Sequence, residues 1–271
     1  MTAPGMPTSD GAGVKLTRII GTPHINMLDP FLLLDCFESD DAKDYIGGFP
    51  THPHRGFETV TYMLNGRMRH KDSKGNEGVI EPGGVQWMSA AKGILHSEMP
   101  EQQAGLLKGF QLWVNLPRSA KMGEPAYQEF AADKVAEERR ADGTYIRVIA
   151  GETGQGTVGP VVNNHTHPTY MDITVPAGVT FEQPLEPSHN AFIYVIEGAL
   201  AVGEQAKVVG EKVLGVFGEG GQITVTAQVE TRFMLAAGKP LNEPVARGGP
   251  FVMNTREEIN QAFDDFRRGQ F

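Results

Sequence analysis

One cysteine, Cys36, stands in 271 residues. No disulfide can form within the chain, which fits a reducing compartment. The lone thiol lies in an apolar run, FLLLDCF, without a local activating motif, so it is expected to be buried and inert. No stretch of about 18 apolar residues occurs, the length that would span a bilayer. The opening residues, MTAPGMPTSDGAG, lack the positive start and apolar core of a secretory leader. These absences point to a cytoplasmic, soluble protein with no membrane partner. Clustered positive charge is missing too. Lys and Arg number 24 against 33 Asp and Glu, a formal net charge of −9. A surface that tracks phosphates needs a basic stripe, so direct nucleic-acid binding is not expected. There is no GxSxG, and no Walker or dinucleotide fingerprint between strand and helix, which removes the common hydrolase and nucleotide-binding readings.

Glycine is abundant, at 33 residues, with 18 prolines. A turn-rich, helix-poor chain of this size suggests short strands in sandwiches or barrels. VKLTRIIG, DPFLLLDCFES, LKGFQLWVNL and TYIRVIAGE read as strands. Asn65-Gly66 is a strong hairpin signal, because both residues tolerate positive φ. Pro82-Gly83-Gly84 marks another turn. The charged stretch AADKVAEERRADG, near 130–143, reads as a solvated helix or linker, which places a domain boundary at 133/134. The second half then repeats the grammar of the first: AFIYVIEGALAVGE aligns without gaps on FETVTYMLNGRMRH when Gly198 is laid on Gly66. That repetition suggests a duplicated β domain. Near the C-terminus, Thr255 with Glu258 makes a capping box, and Ile259, Ala262, Phe263 and Phe266 follow at helical spacing, so one amphipathic helix is expected there, packed on a barrel.

Chemistry is concentrated in FPTHPHRGFETV. Side chains two apart on a strand share a face, so His52 and His54 would present both imidazoles to one space, about 7 Å apart at Cα. His96 and Glu98 in ILHSEMP have the same spacing on a second strand-like segment. Converging, the two pairs make a site of three histidines and one carboxylate with room for outside ligands. Such a donor set suits Fe(II), with Mn, Co, Ni, Cu or Zn as substitutes. A closed tetrahedral zinc site is the structural alternative. A lone HxH is more often a surface or hydrogen-bonding feature, and His165-x-His167 shows the contrast. No second pair follows it at comparable spacing, so a structural or interface role is expected there. Glu58 shares the parity of the first pair and is either a surface residue or a partner to a ligand imidazole. Trp87 and Trp113 are read as core residues, although either can wall a pocket.

Together, DPFLLLDCF, GGFPTHPHRGFETVTYMLNG, QWMSAAKGILHSEMP, GFQLWVNLP and KMGEPAYQEF resemble the pirin family, from about residue 15 to 271. The resemblance implies an all-β fold of two cupin (jelly-roll) β-barrels packed face to face, with a C-terminal α-helix. It implies a metal-binding barrel over 1–133, and a second barrel without metal ligands over 134–271. One iron ion would be held by His52, His54, His96 and Glu98. The first cupin motif is matched by His52, His54 and Glu58, but the usual second-motif histidine would fall near Trp87 and appears instead at 96. In the second half, positions 52, 54 and 58 correspond to Pro184, Glu186 and Asn190. Bacterial pirins are associated with quercetin 2,3-dioxygenase activity. The resemblance therefore implies an aromatic substrate such as a flavonol, O2 as co-substrate, and Glu98 as the catalytic proton acceptor. The alternative it implies is an iron-dependent, redox-responsive regulator whose protein partner is a transcription factor or metabolic enzyme.

Overall fold

The computed structural model describes residues 1–203 and 205–271. It contains two compact units. One comprises Met6–Gly21, Phe31–Ala132 and Leu241–Phe271, and the other Met1–Gly5, Thr22–Pro30 and Asp133–Pro240. This division differs from a single cut at 133/134, because each unit takes segments from both sides of it. The reason lies in pairing. Thr2–Pro4 adds an edge strand beside Val213–Val216 in the second unit. In the first unit, the C-terminal helix carries Asp265 to the buried Arg55.

The first unit has a seven-stranded antiparallel sheet in the order Ala126–Phe130, Val85–Ser89, Phe57–Asn65, Leu107–Asn115, Phe31–Ser39, Val14–Ile20 and Met6–Asp10. A four-stranded sheet orders Phe49–His54, Ile94–Pro100, Met68–Asp72 and Glu77–Ile80. The second unit repeats the scheme with a seven-stranded and a four-stranded sheet. Asn65-Gly66 does form a turn, with Gly66 at φ +76. It does not close a hydrogen-bonded hairpin. Phe57–Asn65 pairs within the seven-stranded sheet and Met68–Asp72 within the four-stranded one, so the turn carries the chain from one sheet to the other. Gly198, at φ +90, does the same in the second unit, between Asn190–Glu197 and Ala199–Val202. The duplicated grammar thus marks a duplicated sheet switch.

The stretch near 130–143 is neither helix nor linker beyond a single turn at Ala132–Lys134. Ala136–Arg139 is an edge strand paired with Tyr145–Ala150. Its charges are used across and along the edge: Glu137 receives Arg147 at 2.7 Å, and buried Glu138 receives Arg140 at 2.7 Å. A charged run at a sheet edge keeps neighbouring chains from pairing there. The interior of this second unit is filled by Ile146, Ile173, Phe181, Val195, Phe233 and Leu235.

The C-terminal helix, Arg256–Arg267, begins at Thr255 with both halves of the capping box formed. Its buried residues, Ile259 and Ala262, cluster with Phe251 and Met253 of the preceding hairpin, Ala246–Gly248 with Phe251–Met253. No helix among the described residues is long and apolar enough to cross a membrane.

Candidate metal centre

Phe49–His54 and Ile94–Pro100 are neighbours in the four-stranded sheet, with His96 opposite His52 and Ile94 opposite His54. Residues opposite one another share a face, as do residues two apart. The register alone therefore brings three imidazoles together. His52 Nε2 lies 3.0 Å from His54 Nε2 and 3.0 Å from His96 Nε2. The three rings are the one group of histidine, cysteine or acid side chains among the described residues with ligand atoms all within 4.8 Å of one another.

Hydrogen bonding decides which nitrogens are bare. The Pro50 carbonyl accepts from His52 Nδ1 at 2.8 Å, and the Pro250 carbonyl accepts from His54 Nδ1 at 3.3 Å. A carbonyl only accepts, so both Nδ1 atoms carry the proton, and in the neutral rings both Nε2 atoms are lone pairs. Two lone pairs 3.0 Å apart repel. Nitrogens held at right angles by one ion, at about 2.0–2.1 Å from each, lie about 2.9 Å apart. The cluster fits a metal ion better than it fits a set of hydrogen bonds. Burial favours the ligand-competent neutral form. The ring of His54 is pushed down to about 3, first by desolvation and then by His52 beside it, against the opposing bond to Pro250. His96 is lowered in the same way, by burial and by its histidine neighbours.

Glu98 sits differently. The extra residue of the register slip lies on Phe49–His54, while Ile94–Pro100 pairs regularly with Met68–Asp72, so Glu98 keeps the face of His96 and lines a cavity with His52 and His54. The three histidines come together, whereas Glu98 Oε1 accepts the Thr61 hydroxyl at 2.7 Å. Its carboxyl is buried and raised above the usual carboxylate range by desolvation, with Thr61, His52 and His70 acting the other way. Thr61 also lies 2.8 Å from Gln111 Oε1. One hydroxyl hydrogen cannot serve both acceptors, so either Glu98 is protonated or the Gln111 amide is turned to donate.

These groups belong to a row. Arg18, Asp35, Gln111 and Thr61 stand in register across four neighbouring strands of the seven-stranded sheet. Arg18 donates to both Asp35 oxygens, at 2.9 and 2.8 Å, and to Asp10 at 3.0 Å. A cavity of about 650 Å³ is lined by His52, His54 and Glu98, by this row's Arg18, Asp35 and Gln111, and by apolar Leu33, Phe37 and Trp113. That volume is within the range of small-molecule sites. Trp113 walls the cavity and meets the His54 ring edge at 5.3 Å. Trp87 is core, its Nε1 donating to buried Glu58 at 3.0 Å, so Glu58 is no surface residue.

The C-terminal hairpin closes the site from behind. Pro250 orients His54, and the Val252 amide donates to the Arg55 carbonyl at 3.0 Å. Arg55 pairs with Asp265 at 2.7 Å and lies over the Phe271 ring at 4.3 Å. Gly56, at φ +89, approaches so closely that a Cβ there would lie 2.0 Å from the Val252 oxygen. No spacing pattern in the sequence singles out Thr61, Gln111, Arg247 or Pro250. Arg55 and Gly56 directly follow the histidine pair, and that adjacency is the only signal they give.

Two family models match this chain: Pirin over residues 13–114, and the Pirin C-terminal cupin domain over residues 170–271. A pirin-like protein of Caulobacter vibrioides is 56% identical over 98% of this chain and 96% of its own length. The chain belongs to the pirin family. Human pirin is 43% identical over 97% of this chain and 89% of its own. A crystal structure of quercetin 2,3-dioxygenase from Acinetobacter baumannii superposes with a TM-score of 0.91 at 34% identity, covering 100% of this chain and 96% of that one. The fold is therefore the two-cupin arrangement of pirins, and the histidine group lies within the first matched segment.

Proposed function

We propose that this pirin is a mononuclear iron dioxygenase that cleaves flavonols in the manner of quercetin 2,3-dioxygenase, inserting both atoms of O2, opening the ring and releasing carbon monoxide. One observation carries the reading: His52 Nε2 stands 3.0 Å from both His54 Nε2 and His96 Nε2, and His52 and His54 line a 650 Å³ cavity with an aromatic wall. The likeness to the Acinetobacter baumannii enzyme supports it.

His52, His54 and His96 would hold one Fe(II), with Glu98 as the fourth donor beside them. An ion held there would supply Lewis acidity toward the flavonol 3-hydroxyl and the redox chemistry that O2 needs. The remaining work falls to the chain. Glu98 takes the 3-hydroxyl proton onto a carboxylate oxygen, a task suited to a carboxyl whose burial makes it more basic than usual. Thr61, which also contacts Gln111, holds that carboxyl in place. Trp113, Leu33 and Phe37 pack the flat rings and keep water from them.

The test is protein loaded with Fe(II) without air, then given quercetin and O2. One O2 is expected to disappear, and one CO to form, per flavonol lost. His54→Ala and His96→Ala should lose both the iron and the turnover. Full turnover in metal-free protein would overturn the reading. Iron binding without flavonol loss, together with a partner affinity that differs between Fe(II) and Fe(III), would favour the redox-responsive regulator instead.

A further inference from the structure

The charges around the cavity are unequally neutralised. Arg18 has its charge matched, with two bonds to Asp35 and one to Asp10. Arg55, next to His54 in the chain, has Asp265 at 2.7 Å. Arg247 differs. It stands on the Ala246–Gly248 strand, lines the same cavity as His52 and His54, and donates Nη2 to the Leu32 carbonyl at 2.9 Å. That contact uses one of five N–H donors and supplies no negative charge. Its guanidinium is partly buried, which lowers its pKa with no opposing carboxylate, while the residue as a whole remains exposed. A guanidinium presents a planar fork that matches a carboxylate or sulfonate. The Asp10–Arg18–Asp35 group, by contrast, has one cation for two carboxylates and repels an anion. An elongated ligand therefore has one favoured place for an acidic group.

We propose that Arg247 is a specificity-determining residue that reads an oxyanion on the substrate, so that the cavity prefers aromatic compounds carrying a carboxylate or sulfonate away from the reacting atoms. This rests on the cavity being the substrate site of the dioxygenase reading, and it adds the substrate's charge class to that reading.

The experiment compares quercetin with a flavonol sulfonated on its pendant ring. Both are titrated under nitrogen into the Fe(II)-loaded full-length protein and followed by quenching of tryptophan fluorescence. Wild type should bind the sulfonate about tenfold more tightly, the scale of one charge-assisted bidentate contact, with a preference that shrinks as salt rises. Arg247→Gln should bring the sulfonate down to the affinity of quercetin at unchanged iron content, and Arg247→Lys should keep part of the preference. Equal affinities in wild type, no binding of the sulfonate, or a preference that survives Arg247→Gln would each overturn the assignment. Oxygen uptake separates the two readings. A sulfonate preference without turnover would sink the dioxygenase and leave Arg247 standing. Turnover of both flavonols without a preference would do the reverse.

Discussion

The His54 ring is fixed from behind by a carbonyl 196 residues along the chain. A ring so buried resists protonation, and the consequence for stability has a sign. Folded, it titrates at about 3 against an ordinary 6.5. Between those values the unfolded chain binds the extra proton, so stability rises with pH there and is lost as pH falls below about 6.5. Each such ring contributes roughly 1.4 kcal/mol per pH unit. His54 alone should thus make the urea-unfolding free energy of iron-stripped protein about 2 kcal/mol lower at pH 5 than at pH 7, and His96 adds to the drop. An unchanged value would mean that the rings open to water when the metal leaves. Thr61 offers a second check. Its hydroxyl bond holds the Glu98 pKa down against burial. Thr61→Val should keep the iron while moving the acid limb of the kcat/KM profile to higher pH, because Glu98 would then lose its charge sooner. An unmoved limb would remove Glu98 from the proton transfer.

At the scale of elements, the strands were legible and their partners were not. Period-two alternation suffices for Leu107–Asn115, and the HxH and HxE spacings suffice for three converging imidazoles. Alternation also puts Glu98 on the face of His96, but it cannot show that the carboxylate bonds to Thr61 on another sheet. It also cannot tell a turn that folds a strand back from one that changes sheets, which is why Asn65-Gly66 misled. The charged run near 136–139 looked solvated because its partner, Arg147, lies on a neighbouring strand. The C-terminal hairpin was hidden for a related reason: its contacts are carbonyls and a lysine without a motif. Lys121 donates to the Gly56 and Val252 carbonyls, at 2.7 and 3.0 Å, and to Asn115 Oδ1 at 2.7 Å. Removing it orphans three acceptors at roughly 1–3 kcal/mol each. Relief of its buried charge, whose pKa is pushed from 10.5 to about 8, returns about 3 kcal/mol. The orphaned oxygens win. Lys121→Met should cost about 2–4 kcal/mol in urea unfolding, and amide exchange at 246–253 should accelerate. Stability equal to wild type would show that the lysine is no brace.

For the whole molecule, chain order and fold order part company. Each compact unit takes residues from both sides of 133. A fragment of residues 1–133 lacks the hairpin and helix of its own unit. It should therefore stay unfolded and bind no iron, whereas its co-expression with 134–271 should restore both, as read by circular dichroism and metal analysis. An autonomous, iron-loaded 1–133 would show that the C-terminal segment is dispensable. The same interleaving bears on synthesis. His96 leaves the ribosome well before Pro250, with about 150 residues between them, on the order of 10–30 s of translation at 5–20 residues per second. For that interval the nascent histidines have no carbonyl to set the His54 tautomer, so iron delivered during elongation meets a half-built clamp, and loading belongs to the released chain.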